Sequence, residues 1–336
     1  MALGNRFGSE QEFAFLHALE PLGGKPDILA KPRAGQPSLK LVLRVLSKLP
    51  LALNHAVGGL LGRLAYLLSP RYRSRVLDNI AGSGLCANGD EVRRLARVNA
   101  VEIGKGATEL AWALFRPLDE VAAQVREVIG WEAVERLRAA KRPIVFVTPH
   151  LGAYDVAGRY LWMHLPILAM YRPHKIFWVD QVLREGRNRG AAPDGTNVAP
   201  ASMAGVRMVL KHLRRGGCSV VLPDQVPGFG EGEWVDFFGR PAYTMTLTGR
   251  LQEASAAAIV FCYAERLPKG QGYRLHLEAL EEPLPRERRA AAQAVNQAVE
   301  RLVRACPAQY LWGYNRYKRP AGAPPPPAAT RRSAAA

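Results

Sequence analysis

Residues 143–155 read P-I-V-F-V-T-P-H-L-G-A-Y-D. The first six are a short, β-branched apolar run closed on both sides by proline. Such a run predicts a strand buried on both faces, as in a parallel sheet, since a half-exposed strand would alternate polar and apolar residues. Gly152 then breaks the chain, and a helix is expected from Tyr154 to His164. Outward from this unit the pattern repeats. Strands are expected at Pro166–Tyr171, Cys218–Leu222, Ala257–Tyr263 and Tyr273–Ala279, with helices at Asp90–Phe115, Ser202–Arg215 and Arg286–Ala305. Strands alternating with helices predict an α/β domain, a mixed sheet flanked by helices. Chemistry in such sheets gathers in the loops at the carboxyl ends of the strands, which is where His150 falls.

His150 and Asp155 stand in an H-x4-D spacing, with Asp155 in the first turn of the expected helix. The spacing alone is common, and a second instance joins His276 to Glu281. That one lies in an alternating strand whose acids read as solvent-facing, so His276 is expected to be structural. The first pairing has a chemical use. Transfer of an acyl group to a hydroxyl needs a base to take the hydroxyl proton, and a neutral imidazole can do so. A carboxylate on Nδ1–H would fix the tautomer that leaves Nε2 free, the role expected of Asp155. No G-x-S-x-G supplies a serine nucleophile. The acceptor hydroxyl can attack directly, without an acyl-enzyme. Cys218 and Cys262 lie within apolar strands and read as core.

Lys and Arg number 46 against 29 Asp and Glu, a net charge of +17. An acidic partner is implied: nucleic acid, an anionic membrane surface or an acidic carrier protein. Four cysteines without a C-x-x-C pair signal neither a zinc site nor a disulfide framework. Glu10, Glu12 and Glu20 interrupt the start of the chain, so no secretory leader is expected and the protein should stay on the cytoplasmic side. Residues 1–37 are expected to be a poorly ordered extension, 38–319 the main domain, and 320–336 a disordered Pro/Ala-rich tail. Within the domain, Leu39–Leu68 is apolar and helical, but only 14 uncharged residues separate Lys48 from Arg63. A bilayer span takes roughly 20. Basic residues flank both ends, so an interfacial, membrane-associating helix is expected. A buried helical hairpin is the alternative.

The 143–155 stretch resembles the strand and H-x4-[DE] motif of the bacterial lipid A biosynthesis acyltransferases, the late lauroyl/myristoyl type. Four further segments agree in order: Y-R-P-H-K at 171–175, L-P-D-Q-V-P at 222–227, F-F-G-R-P-A-Y-T at 237–244 and Q-Y-L-W-G-Y-N-R-Y-K at 309–318. R-V-L-D-N-I at 75–80 is a weaker match. The resemblance covers about residues 39–320. It implies a glycerolipid-acyltransferase-like fold, an acyl-carrier protein or coenzyme A thioester as donor, a lipid A precursor as acceptor, and the inner membrane as location. It also gives purpose to Arg172 (charge for an oxyanion or phosphate) and to Asp224 and Gln225 (support at a strand end). One departure stands out, because the late lipid A branch usually carries Glu where this chain has Asp155. Asp is typical of glycerophospholipid acyltransferases, the first alternative reading. The second is a non-catalytic basic membrane-binding protein in which His150 is structural. On the helix after Gly205, Arg207, Lys211 and Arg214 share one face suited to an acidic carrier or a lipid phosphate. Nucleic-acid signatures are missing, and G-S-G-L-C-A at 82–87 follows a helical stretch, not a strand. Neither a nucleotide cofactor nor a metal is expected.

Overall fold

The computed structural model describes residues 39–171 and 198–327. Five helices come first: α1 (Leu39–Lys48), α2 (Leu51–Leu68), α3 (Pro70–Ala81), α4 (Gly89–Phe115) and α5 (Leu118–Ala122). There follow β1 (Val125–Ile129), α6 (Trp131–Ala139), β2 (Ile144–Val147), α7 (Tyr154–His164), β3 (Ala169–Tyr171), β4 (Val198–Pro200), α8 (Met203–Leu213) and β5 (Cys218–Val221). The chain ends with the hairpin β6 (Gly232–Phe237) and β7 (Arg240–Met245), then α9 (Leu247–Ser255), β8 (Ala258–Arg266), β9 (Tyr273–Ala279) and α10 (Arg288–Ala305).

The central sheet has the order β1-β9-β8-β2-β5 and is mixed: every pairing is parallel except β8 with β9. β2 is buried at all four positions, as its unbroken apolar run requires. Its side chains alternate between two cores. Val145 and Val147 join Ile259, Phe261 and the apolar faces of α8 and α10, while Ile144 and Phe146 join Val260, Trp112 of α4 and Leu161 of α7. Each large side chain among them contributes about 1.5–3 kcal/mol by leaving water. The mixed sheet, the helix Tyr154–His164 and the strands at 143–148, 218–222, 257–263 and 273–279 are found as the sequence leads one to expect.

Three features go beyond the expectations from sequence or depart from them. β1, α6 and the edge pairing of β1 with β9 go beyond the expected elements. V-R-E-V-I carries two charges in five residues, and both of those positions are exposed. The glycine-rich stretch around 228–245 forms an ordered hairpin. It turns at Phe238 and Gly239, both at positive φ, with Phe237 and Phe238 buried in the core. The first residues of the expected disordered tail are packed: Ala323 is fully buried against Trp234 and Tyr243, and the Trp234 indole donates to Pro324 O at 3.1 Å. Residues 1–38, including the expected extension at 1–37, lie outside the described residues, as do 328–336.

The helix α2 is long and apolar enough to cross a membrane by composition, yet 44% of it is buried against the domain. It meets α4 backbone to backbone. A Cβ on Gly62 would lie 2.0 Å from Ala100 O, and one on Gly104 would lie 2.1 Å from Gly58 O, so only glycine permits the approach. Beneath this contact His55 Nε2 stands 2.9 Å from Glu109 Oε1, the Tyr273 hydroxyl donates to the same oxygen at 2.6 Å, and Arg266 Nε donates to Glu109 Oε2 at 2.8 Å. Burial alone would raise the Glu109 carboxyl. The Arg266 charge and the His55 contact outweigh it and hold the pKa at about 2.

Removing that carboxylate leaves the buried Arg266 guanidinium with only the more distant Glu102, at 3.8 Å, for a counter-charge. Glu109→Ala is therefore expected to cost about 3–5 kcal/mol, measured by thermal or denaturant unfolding in detergent. Because the folded pKa is depressed, Glu109 stabilises the parent above its unfolded value near 4.3. That contribution fades as pH falls toward 2. The variant should lack this acid-sensitive increment, and a loss below about 1 kcal/mol, within the surface-pair range, would contradict the assignment.

Candidate active site

His150 sits just past β2, in a loop gripped from two sides. Gly152, at φ +63°, presses on β8 so closely that a Cβ would lie 2.1 Å from Ala264 O. Ala153 N donates to that same oxygen at 2.8 Å. From the other side comes the C-terminal segment. Gly152 N donates to Gln309 O at 3.1 Å, and Leu311 N donates to His150 O at 3.0 Å. That segment is itself tied down by two buried amides: Asn79 Nδ2 donates to Trp312 O and Tyr314 O (2.7 and 3.0 Å), and Asn99 Nδ2 donates to Ala308 O and Tyr310 O (2.9 and 2.7 Å). The backbone carrying His150 is fixed before any ligand arrives.

The ring is fixed as well. Asp224, in the turn after β5, accepts from His150 N through Oδ2 at 2.9 Å and lies 2.8 Å from His150 Nδ1 through Oδ1. Gln225 Nε2 stands 3.1 Å from His150 Nε2. The two contacts agree on one neutral tautomer. A carboxylate accepts from Nδ1–H, and an amide N–H points at the Nε2 lone pair. Burial alone would raise the Asp224 carboxyl, but the positive charge His150 carries when protonated and the two hydrogen bonds from that residue outweigh it and hold the pKa below the usual carboxylate value. Tyr310 shares a side-chain hydrogen bond with Asp224. Burial first, and the Asp224 charge next, keep this phenol far above its ordinary pKa, so it stays a donor.

The sequence leads one to expect Asp155 at Nδ1, and the carboxylate found there is Asp224. The physical reason is position: Asp224 lies in the turn that follows β5, the strand adjacent to β2, so its side chain reaches both the His150 amide and the ring. Asp155 is in the first turn of α7 as expected. It lines one cavity together with His150, Tyr154, Gly152, Arg266 and Leu311. The Tyr154 ring meets the His150 ring edge-on at 5.0 Å. Arg207 is exposed on α8 and does not line this cavity. Arg172 lies outside the described residues.

Arg266, Gln309, Tyr310 and the two clamping asparagines are not singled out by sequence reasoning. The Q-Y-L-W-G-Y-N-R-Y-K segment and the Asn in R-V-L-D-N-I are visible signals whose purpose only the fold reveals. The decoy His276 stacks on Tyr263 at 4.5 Å and contacts Glu265 at 3.0 Å on the sheet surface, a structural setting. Burial raises the thiols of Cys218 to about 11 and of Cys262 to about 12. Neither can present a thiolate nucleophile near neutral pH. Among the described residues no three or more His, Cys, Asp or Glu side chains gather into a metal-binding group.

A buried histidine held on Nδ1 by a carboxylate and opening on a cavity, with no activated thiol beside it, suits base-assisted transfer to a hydroxyl. The family model for the bacterial lipid A biosynthesis acyltransferases matches residues 29–319. The chain belongs to that family. This acyltransferase is 29% identical over 289 residues to the lipid A biosynthesis lauroyltransferase of Escherichia coli K12, an alignment covering 84% of this chain and 91% of that one. It is 26% identical over 283 residues to the palmitoleoyltransferase of the same strain, covering 84% and 90%. With the myristoyltransferase of that strain it shares 26% over 260 residues, 75% of this acyltransferase and 77% of the relative.

Proposed function

We propose that this enzyme moves a fatty acyl chain from an acyl-carrier protein or coenzyme A thioester directly onto a hydroxyl of a lipid A precursor, at the cytoplasmic face of the inner membrane. The observation that carries the reading is the pair of contacts on the His150 ring, Asp224 Oδ1 at Nδ1 and the Gln225 amide at Nε2, which together favour one neutral tautomer. With Nδ1–H held by Asp224, the Nε2 lone pair is the one basic position the ring offers, and Gln225 occupies it until an acceptor hydroxyl takes its place. The hydroxyl proton passes to Nε2 as the oxygen attacks the thioester carbonyl. Collapse of the tetrahedral intermediate then expels the carrier thiolate, which takes the proton back from the imidazolium. Asp155, in the same cavity, adds a second negative charge that stabilises the imidazolium. Arg172 is assigned the thioester oxyanion or an acceptor phosphate.

The acceptor is chosen on the family and on the names of its relatives. Asp155 in place of the usual Glu keeps a glycerophospholipid acceptor as the second reading. The membrane location draws on the leucines that α2 leaves exposed, Leu53, Leu60, Leu64, Leu67 and Leu68. The deciding experiment offers the membrane fraction acyl-carrier and coenzyme A thioesters with a lipid A precursor or, in parallel, a lysophospholipid, and reads product masses. A lipid A precursor heavier by one acyl group supports the reading. Acylation of the lysophospholipid alone would replace it.

The donor also leaves a test. Arg207 and Lys211 on α8 and Arg214 just past its end are exposed and present a basic face to an acidic carrier. Reversing the three charges is expected to raise KM for the carrier thioester by about tenfold while changing KM for a coenzyme A thioester little, because rim charges act mainly on encounter with a charged protein partner. An equal effect on both donors counts against carrier docking there.

A further inference from the structure

A second cleft lies on the opposite side of α4 from the His150 cavity. Ile103, Gly106 and Leu110 of α4 face the cavity, whereas Val101 and Lys105 face the cleft. Its other walls are α2, through His55, Gly59, Leu60 and Arg63, and the turn Pro268–Gly270, through Lys269. Its volume is about 570 Å³. Three cations, Arg63, Lys105 and Lys269, line it, and no carboxylate does. Lys105 is paired with Glu102 beside the cleft. Among the described residues neither Arg63 nor Lys269 has a carboxylate within ion-pair distance.

Lys269 is held there at a backbone cost. It adopts φ +56°, a left-handed conformation that L side chains other than Asn and Asp rarely take, and the following Gly270 is wedged against α2, where a Cβ would lie 2.5 Å from Ala52 Cα. The turn thus aims a lysine over α2 where a glycine or asparagine would be less strained. On α2 itself, Leu53, Leu60, Leu64 and Leu67 fall at i, i+7, i+11 and i+14, one exposed stripe along the helix. Leu60 belongs to both the stripe and the cleft wall. Cations in a recess beside an exposed apolar stripe complement a molecule with an anionic head and apolar chains.

We infer that this cleft seats the phosphate of an anionic glycerophospholipid of the bilayer, between Arg63, Lys105 and Lys269, with the acyl chains along the leucine stripe of α2. The site orients the enzyme on the membrane and is independent of the acyl-transfer chemistry. Phosphate is the anion chosen because three cations from two helices and a turn line one recess, which suits a tetrahedral group with several acceptor oxygens.

The test uses the full-length protein and flotation with two kinds of vesicle, phosphatidylcholine alone and equimolar phosphatidylcholine–phosphatidylglycerol. R63A/K269A is expected to lower partitioning onto the mixed vesicles at least about tenfold and leave partitioning onto phosphatidylcholine unchanged. R286A/R288A, which removes the same charge from an exposed stretch elsewhere, should lower it less than about twofold. Equal losses in the two variants would mean diffuse attraction and overturn the site, as would an equal loss of R63A/K269A on phosphatidylcholine alone. Should the alanine pair unfold by circular dichroism, R63Q/K269Q serves in its place. Melting of the solubilised protein gives the last arm. Dihexanoylphosphatidylglycerol is expected to raise the midpoint in the parent and not in R63A/K269A, and an equal rise with inorganic phosphate alone would make this a free-phosphate site and overturn the lipid assignment.

Discussion

Replacing His150 by alanine is expected to lower acyl transfer by on the order of 10²–10⁴-fold, with the fold unchanged. The loss follows from the geometry at the ring. Nδ1 is bound to Asp224, which leaves Nε2 as the basic position of the ring, and the Glu109 carboxyl that also lines the cavity, its pKa held at about 2, is a poor base near neutral pH. The loop should keep its shape, because it is gripped through its backbone by Ala264, Gln309 and Leu311, contacts that an alanine retains, although the buried Asp224 loses its ring partner and some stability with it. The measurement is kcat with a saturating carrier thioester, alongside circular dichroism. Near-parent turnover in a folded His150→Ala protein would remove the general-base mechanism altogether. His276→Ala, at the decoy spacing, should leave turnover near the parent rate.

Asp224→Asn is expected to be nearly as severe, up to about 10⁴-fold in kcat, since the amide can present N–H to Nδ1 and favour the tautomer with its proton on Nε2, which is no base. Asp155→Asn separates the two carboxylates. It removes a charge from the cavity and leaves the Nδ1 contact in place, so it should cost less than Asp224→Asn, and Asp155→Glu should keep much of the activity. The pH profile adds a second reading. Loss of either carboxylate destabilises the imidazolium, so the acidic limb of kcat/KM should move to lower pH in each variant. If Asp224→Asn turns over like the parent while Asp155→Asn is inactive, the carboxylate that matters is the local one and the two aspartates exchange roles.

How these two aspartates differ also shows what a sequence reveals and what it hides. The strand at 143–148 and the helix at 154–164 are legible because each is decided locally, one by an unbroken apolar run and the other by a glycine break and helical periodicity. His150 is legible because it falls where they join. Its partner is not, since Asp224 lies 74 residues away and meets the ring only because β5 pairs with β2. Spacing in the chain favours a neighbour, whereas a parallel sheet brings together strand ends that are remote in sequence. The same blindness hides β1, whose charged residues are tolerable only at a sheet edge, and the Glu109–Arg266 pair, drawn from α4 and β8. The motif at 309–318 is visible as a string of aromatic and polar residues, but what it holds is set by tertiary contacts.

That motif has a consequence in time. The His150 loop and the Asp224 turn are completed by residues 308–314, which are anchored in turn by Asn79 and Asn99 near the start of the domain. A ribosome making this protein releases His150, Asp155 and Asp224 well before it releases the strap that holds them. The nascent chain is therefore expected to stay inert until that strap has closed onto helices made some two hundred residues earlier. A chain cut short before Gln309 is expected to lose acyl transfer while retaining every one of those side chains.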